Sequence, residues 1–425
     1  MRHTRTAVAM TTAAAVLGLT ACGGSSEADS GGDTGGGTAE LSLWTVQMEP
    51  TQKEAIEGLI DAFEDSNPDI TVTVEERAVD AHKEALRQVV GTDAGPDIYR
   101  YWEGPGLGGE LVDVGMSMDL TEYYDEYGWE DRFSEPVLAG ITQYDGYHGV
   151  PFVQQAEALY YNTTLFEEAG ITDLPETYED LVAVADDLVA AGITPIEFGG
   201  TVNWHVMRLL DSLIETKCGV ETADKLNTEQ TGWDSEPCVT EAFTDLKTWA
   251  DKYVNEGFMG LSADEGSQLF YTGDAAMALE GTWFNTNIVD NGMDPENIGI
   301  FPFPTGTGRL YGFGEAYYIS SATENADAAA KFLDFMSSVD GQGILTGAFA
   351  AMSVNSDVPP AEGNPLHELW LPIFENATGL YINNDQNLSL EETTEYWRIQ
   401  NSVLTGAIAP DDAGATLQAF IDANS

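Results

Sequence analysis

The sequence predicts an α/β protein built from at least two lobes. Three observations carry that prediction. Residues 41–74 alternate in character, turn to a helical period, and alternate again, which is the strand–helix–strand order of a largely parallel sheet. The chain has 425 residues, more than one ordinary core holds. The stretch 144–162, YDGYHGVPFVQQAEALYYN, sets a pair of amides between two buried-looking apolar runs. Pro151 has no N–H for a ladder, so that run is an edge strand, a strand start or a crossing segment. The amides Gln154 and Gln155 need partners, either backbone groups or a polar ligand in a cleft.

The first residues read as a targeting segment. Arg2, His3 and Arg5 are basic, and 7–19 is small and apolar. The following Leu19-Thr20-Ala21-Cys22 resembles a bacterial lipobox, which implies a signal peptide over 1–21 and a lipid on Cys22. Residues 22–40, rich in Gly, Ser, Asp and Thr, read as a flexible tether. That lipid is the expected membrane contact, and it places the chain on the extracellular face of the cell membrane. In such an oxidising setting the other two cysteines, Cys218 and Cys238, are expected to form a disulfide. Two cysteines without clustered histidines make a poor zinc site, and neither metal nor cofactor is expected. With 16 Lys+Arg against 72 Asp+Glu, the formal charge of −56 argues against nucleic acid and anionic membrane as partners.

From residue 41 the elements follow in order. Leu41–Val46 is the first strand, the helix from Thr51 carries Ile56, Leu59, Ile60 and Phe63 on one face, and Ile70–Val74 is the second strand. A helix over 81–90 precedes the third strand, Ile98–Trp102. Ligands bind outside the carboxyl ends of strands in open α/β sheets, which singles out Gln47, Glu49, Tyr101, Trp102 and Glu103. The following GPGLGG fits G-x-G-x-x-G, but Pro105 and Gly108 disfavour the helix entry that a dinucleotide site needs, so it reads as a loop beside the cleft. Thr177 caps a helix that Gly192 ends. Helices are expected over 240–253, 325–336, 367–376, 389–404 and 413–424, and strands over 298–304, stopped by its prolines, and 312–319.

Four segments together resemble the sugar-binding family of extracellular solute-binding proteins of ABC importers. They are LSLWT with AFEDSNPDI, GVPFVQQAEALYYNTTLFEEAGI with LPETYEDLVAVADDL, GDAAMALEGTWF with IGIFPFPTG, and YGFGEAYYISSATENADAAAKFLDFM. The resemblance implies a two-lobed periplasmic-binding-protein-like fold with three hinge crossings, near Gln154, over 309–315 and over 353–360. One lobe is then 41–153 with 314–355, and the other 156–310 with 358–425. It also implies a monomeric receptor that closes on a neutral carbohydrate, an oligosaccharide, and passes it to membrane permease subunits.

The resemblance and the chemistry of a pyranose together nominate the site. Aromatic rings cover the C–H face of a sugar, while amides and carboxylates take its hydroxyl rim. Trp283, Trp397 and Trp204 are the aromatic candidates, joined by Trp102. Gln155, Glu315, Glu103, Gln47 and Glu49 are the polar ones. Two other readings stay open from sequence: a secreted glycosidase with two opposed carboxylates, and a receptor for a polyol or another non-sugar solute.

Overall fold

The structure is a computed structural model that describes residues 38–424. The expected signal peptide and Cys22 lie outside the described residues. Nine strands are present: β1 (Ala39–Val46), β2 (Ile70–Arg77), β3 (Ile98–Trp102), β4 (Gly149–Asn162), β5 (Thr194–Ile196), β6 (Ala275–Gly281), β7 (Ile298–Phe301), β8 (Leu310–Ile319) and β9 (Leu380–Ile382) among the described residues. They pair in the order β2-β1-β3-β8-β4-β6-β5, with β7 also on β4 and β9 on β8. The sheet is mixed: β2, β1 and β3 are parallel, whereas β8 runs against β3 and β4 against β8. The expected parallel sheet therefore holds for the first three strands, is interrupted where the long strands β4 and β8 enter, and returns only at the β5–β6 and β8–β9 pairs.

Those two strands connect separate cores. Along β4, Val150, Phe152 and Val153 pack with Leu43, Phe63 and Phe332. Leu159 packs with Leu210, Phe243 and Met277, and Tyr160 with Phe284 and Trp370. The two apolar runs that read as separate pieces are one continuous strand, because β8 pairs with it from Gly149 to Glu157 and so carries the ladder past the amides. Pro151 sits at a register shift in that pairing. The antiparallel partners β6 and β7 join β4 only from Glu157 onward, so the missing N–H faces no second ladder. The chain passes back toward the third cluster between Val354 and Leu366.

The helices obey local rules. Helix α1 (Pro50–Ser66) buries Ile56, Leu59, Ile60 and Phe63 as its period requires. Asn162 caps the helix after β4 by accepting the Thr164 and Leu165 amides at 3.0 and 3.3 Å. Thr177 and Asp180 form a capping box, and Gly192 ends that helix at φ 79°. The run from Gly104 differs from expectation at its end, where a short helix, Gly108–Asp113, starts inside it. Cys218 and Cys238 lie with their sulfurs at disulfide distance and their Cα atoms 5.1 Å apart, where the helix Asn203–Asp224, beside its break at Gly219, meets the start of the helix Pro237–Lys252.

Candidate ligand-binding cleft

A cleft of about 410 Å³ opens between the two cores. The carboxyl end of β1 delivers Gln47 and Glu49, and the end of β3 delivers Trp102. The strands shared by both cores deliver Gln155 from β4 and Glu315 from β8. Trp204, at the start of the helix Asn203–Asp224, and Trp283, just after β6, face them. Seven of the nine residues nominated from sequence are thus brought together.

Glu103 and Trp397 do not line this cleft. Glu103 is 3% exposed, with its carboxylate packed so closely on Gly140 that a Cβ there would collide with it. Trp397 lines an adjoining crevice that shares Asp80, Lys83 and Asp385 with the cleft, and its indole N–H reaches the Met207 sulfur at 3.1 Å.

Two of the polar candidates already have protein partners. The Gln155 amide donates to the Phe349 carbonyl at 3.2 Å and accepts from the Thr282 hydroxyl. Glu315 accepts from the Arg100 guanidinium. Sequence reading missed the cations, because nothing in their local spacing marks them. Lys83, Arg100 and Arg208 line the cleft, each beside a carboxylate: Asp385 at 3.9 Å, Glu315, and Glu157 at 3.2 Å. Glu49, Asp80 and Asp264 line it with no cation beside them in any ion pair among the described residues. A net negative lining of this kind repels phosphorylated or acidic ligands.

Arg208 organises the aromatic wall. Its guanidinium carbon lies 5.0 Å from the centre of the Trp204 ring and 5.2 Å from that of Trp283, within cation–π range of both. Trp283 also packs on Phe313, ring centres 5.6 Å apart. Behind the wall, Arg208 meets Glu280 at 2.7 Å and donates to the Leu279 carbonyl at 3.2 Å. His205 meets Glu280 at 3.2 Å. Burial opposes the charge on Glu280, but Arg208 and His205 outweigh it and hold that carboxyl below its ordinary value. Glu157 competes for the same guanidinium, and burial pushes it up to about 8. Glu197 is driven well above the usual carboxylate range by burial and then by Glu280.

Glu197, His205 and Glu280 also present ligand atoms within 4.8 Å of one another. Their hydrogen bonding disfavours a metal. The Gly199 amide donates to His205 Nδ1 at 3.0 Å, so the ring proton belongs on Nε2, which lies 3.2 Å from Glu280. A neutral imidazole in that tautomer has no second lone pair for an ion.

The buried carboxyls make stability depend on pH. Burial, then Glu315, raises Glu103 to about 8, as burial does Glu157. In the folded state these groups keep protons that the unfolded chain has lost, so their contribution is complete below about 4.5 and is lost as pH rises through about 8. Burial lowers His82, His205 and His367, which act in the opposite sense only below about 6.5. The melting temperature is therefore expected to fall between pH 6.5 and 8, with a shallower fall in Glu103→Gln. Scanning calorimetry across that window checks it; equal slopes in the two proteins would contradict the assignment of Glu103.

Comparison with known proteins places this geometry. A family model described as bacterial extracellular solute-binding protein matches residues 49–343. The maltodextrin-binding protein MdxE of Bacillus subtilis is 26% identical over 333 residues, spanning 75% of this chain and 73% of its own. The maltotriose-binding protein of Pyrococcus abyssi is 24% identical over 312 residues, 70% of this chain and 62% of its own. A solved chitin oligosaccharide binding protein superposes with a TM-score of 0.82 at 27% identity, covering 90% of this chain and 98% of that one. With the two cores, the long shared strands and the cleft between them, the chain belongs to the bacterial extracellular solute-binding protein family.

Proposed function

We propose that the protein captures a neutral oligosaccharide by closing its lobes around it and delivers it to the permease of an ABC importer. The observation that carries this reading is the lining of the cleft: Trp102, Trp204 and Trp283 offer apolar faces, while the uncompensated charge is negative. Neutral sugars fit such a surface and phosphorylated ones do not. The relatives named for maltotriose, maltodextrin and chitin oligosaccharide support the same class. The lobes would be 41–153 with 314–355, and 156–310 with 358–425. A lipid on Cys22 would hold the monomer at the extracellular face of the membrane, and a Cys218–Cys238 disulfide would fit that compartment. A hydrolase needs two carboxylates free to act across one bond. The cleft does hold carboxylates without an ion-pair partner, so recovery of the bound sugar intact is what separates the receptor from a hydrolase. A calorimetric titration of the domain 38–425 with neutral oligosaccharides tests the proposal: one-site saturable binding is expected.

A further inference from the structure

The glycine run after β3 is pressed against the opposite side of the cleft. Gly104 has a φ of 104°, and a Cβ there would meet the Gln386 carbonyl at 2.5 Å. A Cβ at Gly106 would meet the Leu388 carbonyl at 1.9 Å. With no Cβ in the way, the Gly106 amide donates to the Gln386 carbonyl at 2.7 Å. Leu107 and Leu388 belong to different cores, so this contact joins the two sides. Its result is to set Asp385 and Gln386 opposite Lys83, on the helix α2 (Val79–Val89), at the edge of the cleft.

All three side chains are underused. Lys83 Nζ stands 3.9 Å from Asp385 Oδ2, beyond hydrogen-bonding distance, and 4.6 Å above the Trp102 ring. Asp385 Oδ1 and Gln386 Nε2 have no hydrogen-bond partner among the described residues, although Asp385 is 5% exposed and Gln386 3%. Burial pushes the Lys83 ammonium down and the Asp385 carboxyl up, so both ions lack the solvation they would have in water. A buried acceptor and a buried donor left open at a cleft wall call for a ligand that donates to one and accepts from the other.

We propose that Lys83, Asp385 and Gln386 form a subsite spanning the two lobes that takes a vicinal diol of the sugar. One hydroxyl donates to Asp385 Oδ1, and the neighbouring oxygens accept from Gln386 Nε2 and Lys83 Nζ. An anionic group would be repelled by Asp385 and a cationic one by Lys83, whereas hydroxyls serve both. Because the donors and acceptors come from both lobes, the subsite is complete only when they meet, so binding a diol here favours closure. The inference rests on the sugar-receptor reading above.

The test is calorimetry with maltotriose, chitotriose, xylotriose and raffinose. Wild type is compared with the double variant Lys83→Met, Asp385→Leu, which removes both charges together and leaves no orphan ion. The double variant is expected to melt near wild type without sugar and to bind the sugar that wild type takes at least about tenfold more weakly. Unchanged affinity in the folded double variant would overturn the subsite and leave the receptor reading standing. No binding of any of the four by folded wild type would overturn both. If the double variant melts early, Gln386→Met, which keeps the ion pair, carries the test: weaker binding supports the subsite and wild-type affinity overturns it.

Discussion

Replacing Trp283 with alanine is expected to weaken sugar binding by about 100-fold while leaving the fold intact. The indole is half-buried at the cleft wall, between Arg208 and Phe313. A sugar face covering it removes further apolar area from water, at about 25 cal/mol per Å² plus a specific aromatic contribution, and each 1.4 kcal/mol is a factor of ten. The main chain at Trp283 is anchored separately, since its carbonyl accepts the Thr286 amide at 3.1 Å. Fluorescence titration with thermal melting separates the effects. Wild-type affinity in the variant would make Trp283 a packing residue and displace the proposed site.

Replacing Arg208 with alanine is expected to act on stability first. The residue is 6% exposed and sits between Glu157 and Glu280. Its loss leaves Glu280 as a buried charge without its principal partner and frees the Leu279 carbonyl. Breaking a buried ion pair from one side costs about 3–5 kcal/mol, far more than the pair contributes when both partners are replaced together. Urea unfolding measures it. A loss below about 1 kcal/mol would show that the remaining carboxylates simply take up protons. Arg208→Ala should also loosen Trp204 and Trp283, so affinity falls even at temperatures where the variant is folded.

Much of this account is readable from local sequence, and the reasons differ by element. The α1 face, the Thr177 capping box and the first three strands depend on nearest neighbours, so their patterns predict them. The continuity of β4 does not, because it is imposed by β8, more than 150 residues away in the chain. Trp204 and Trp283 were nominated by residue type and family pattern, and Trp102 by the end of a strand, all of which sequence carries. The cations Lys83, Arg100 and Arg208 were missed because their partners are remote: Asp385, Glu315 and Glu157 come from other elements. Glu103 follows the same strand end as Trp102, yet its carboxylate is buried against Gly140 and Gly314 and does not reach the cleft lining. The glycine run fits G-x-G-x-x-G yet reads as a loop beside the cleft; its Gly104 and Gly106 are required by the backbone of 386–388 lying against them, a contact no local pattern shows.

The most direct measurement of the central claim is a calorimetric titration of domain 38–425 with a panel of neutral oligosaccharides, followed by chromatography of the sugar. The account predicts saturable one-site binding of one sugar class, a negative heat-capacity change from the apolar surface buried, and recovery of the sugar intact. Folded protein that gives no heat with any of them, or that returns the sugar cleaved, would contradict it.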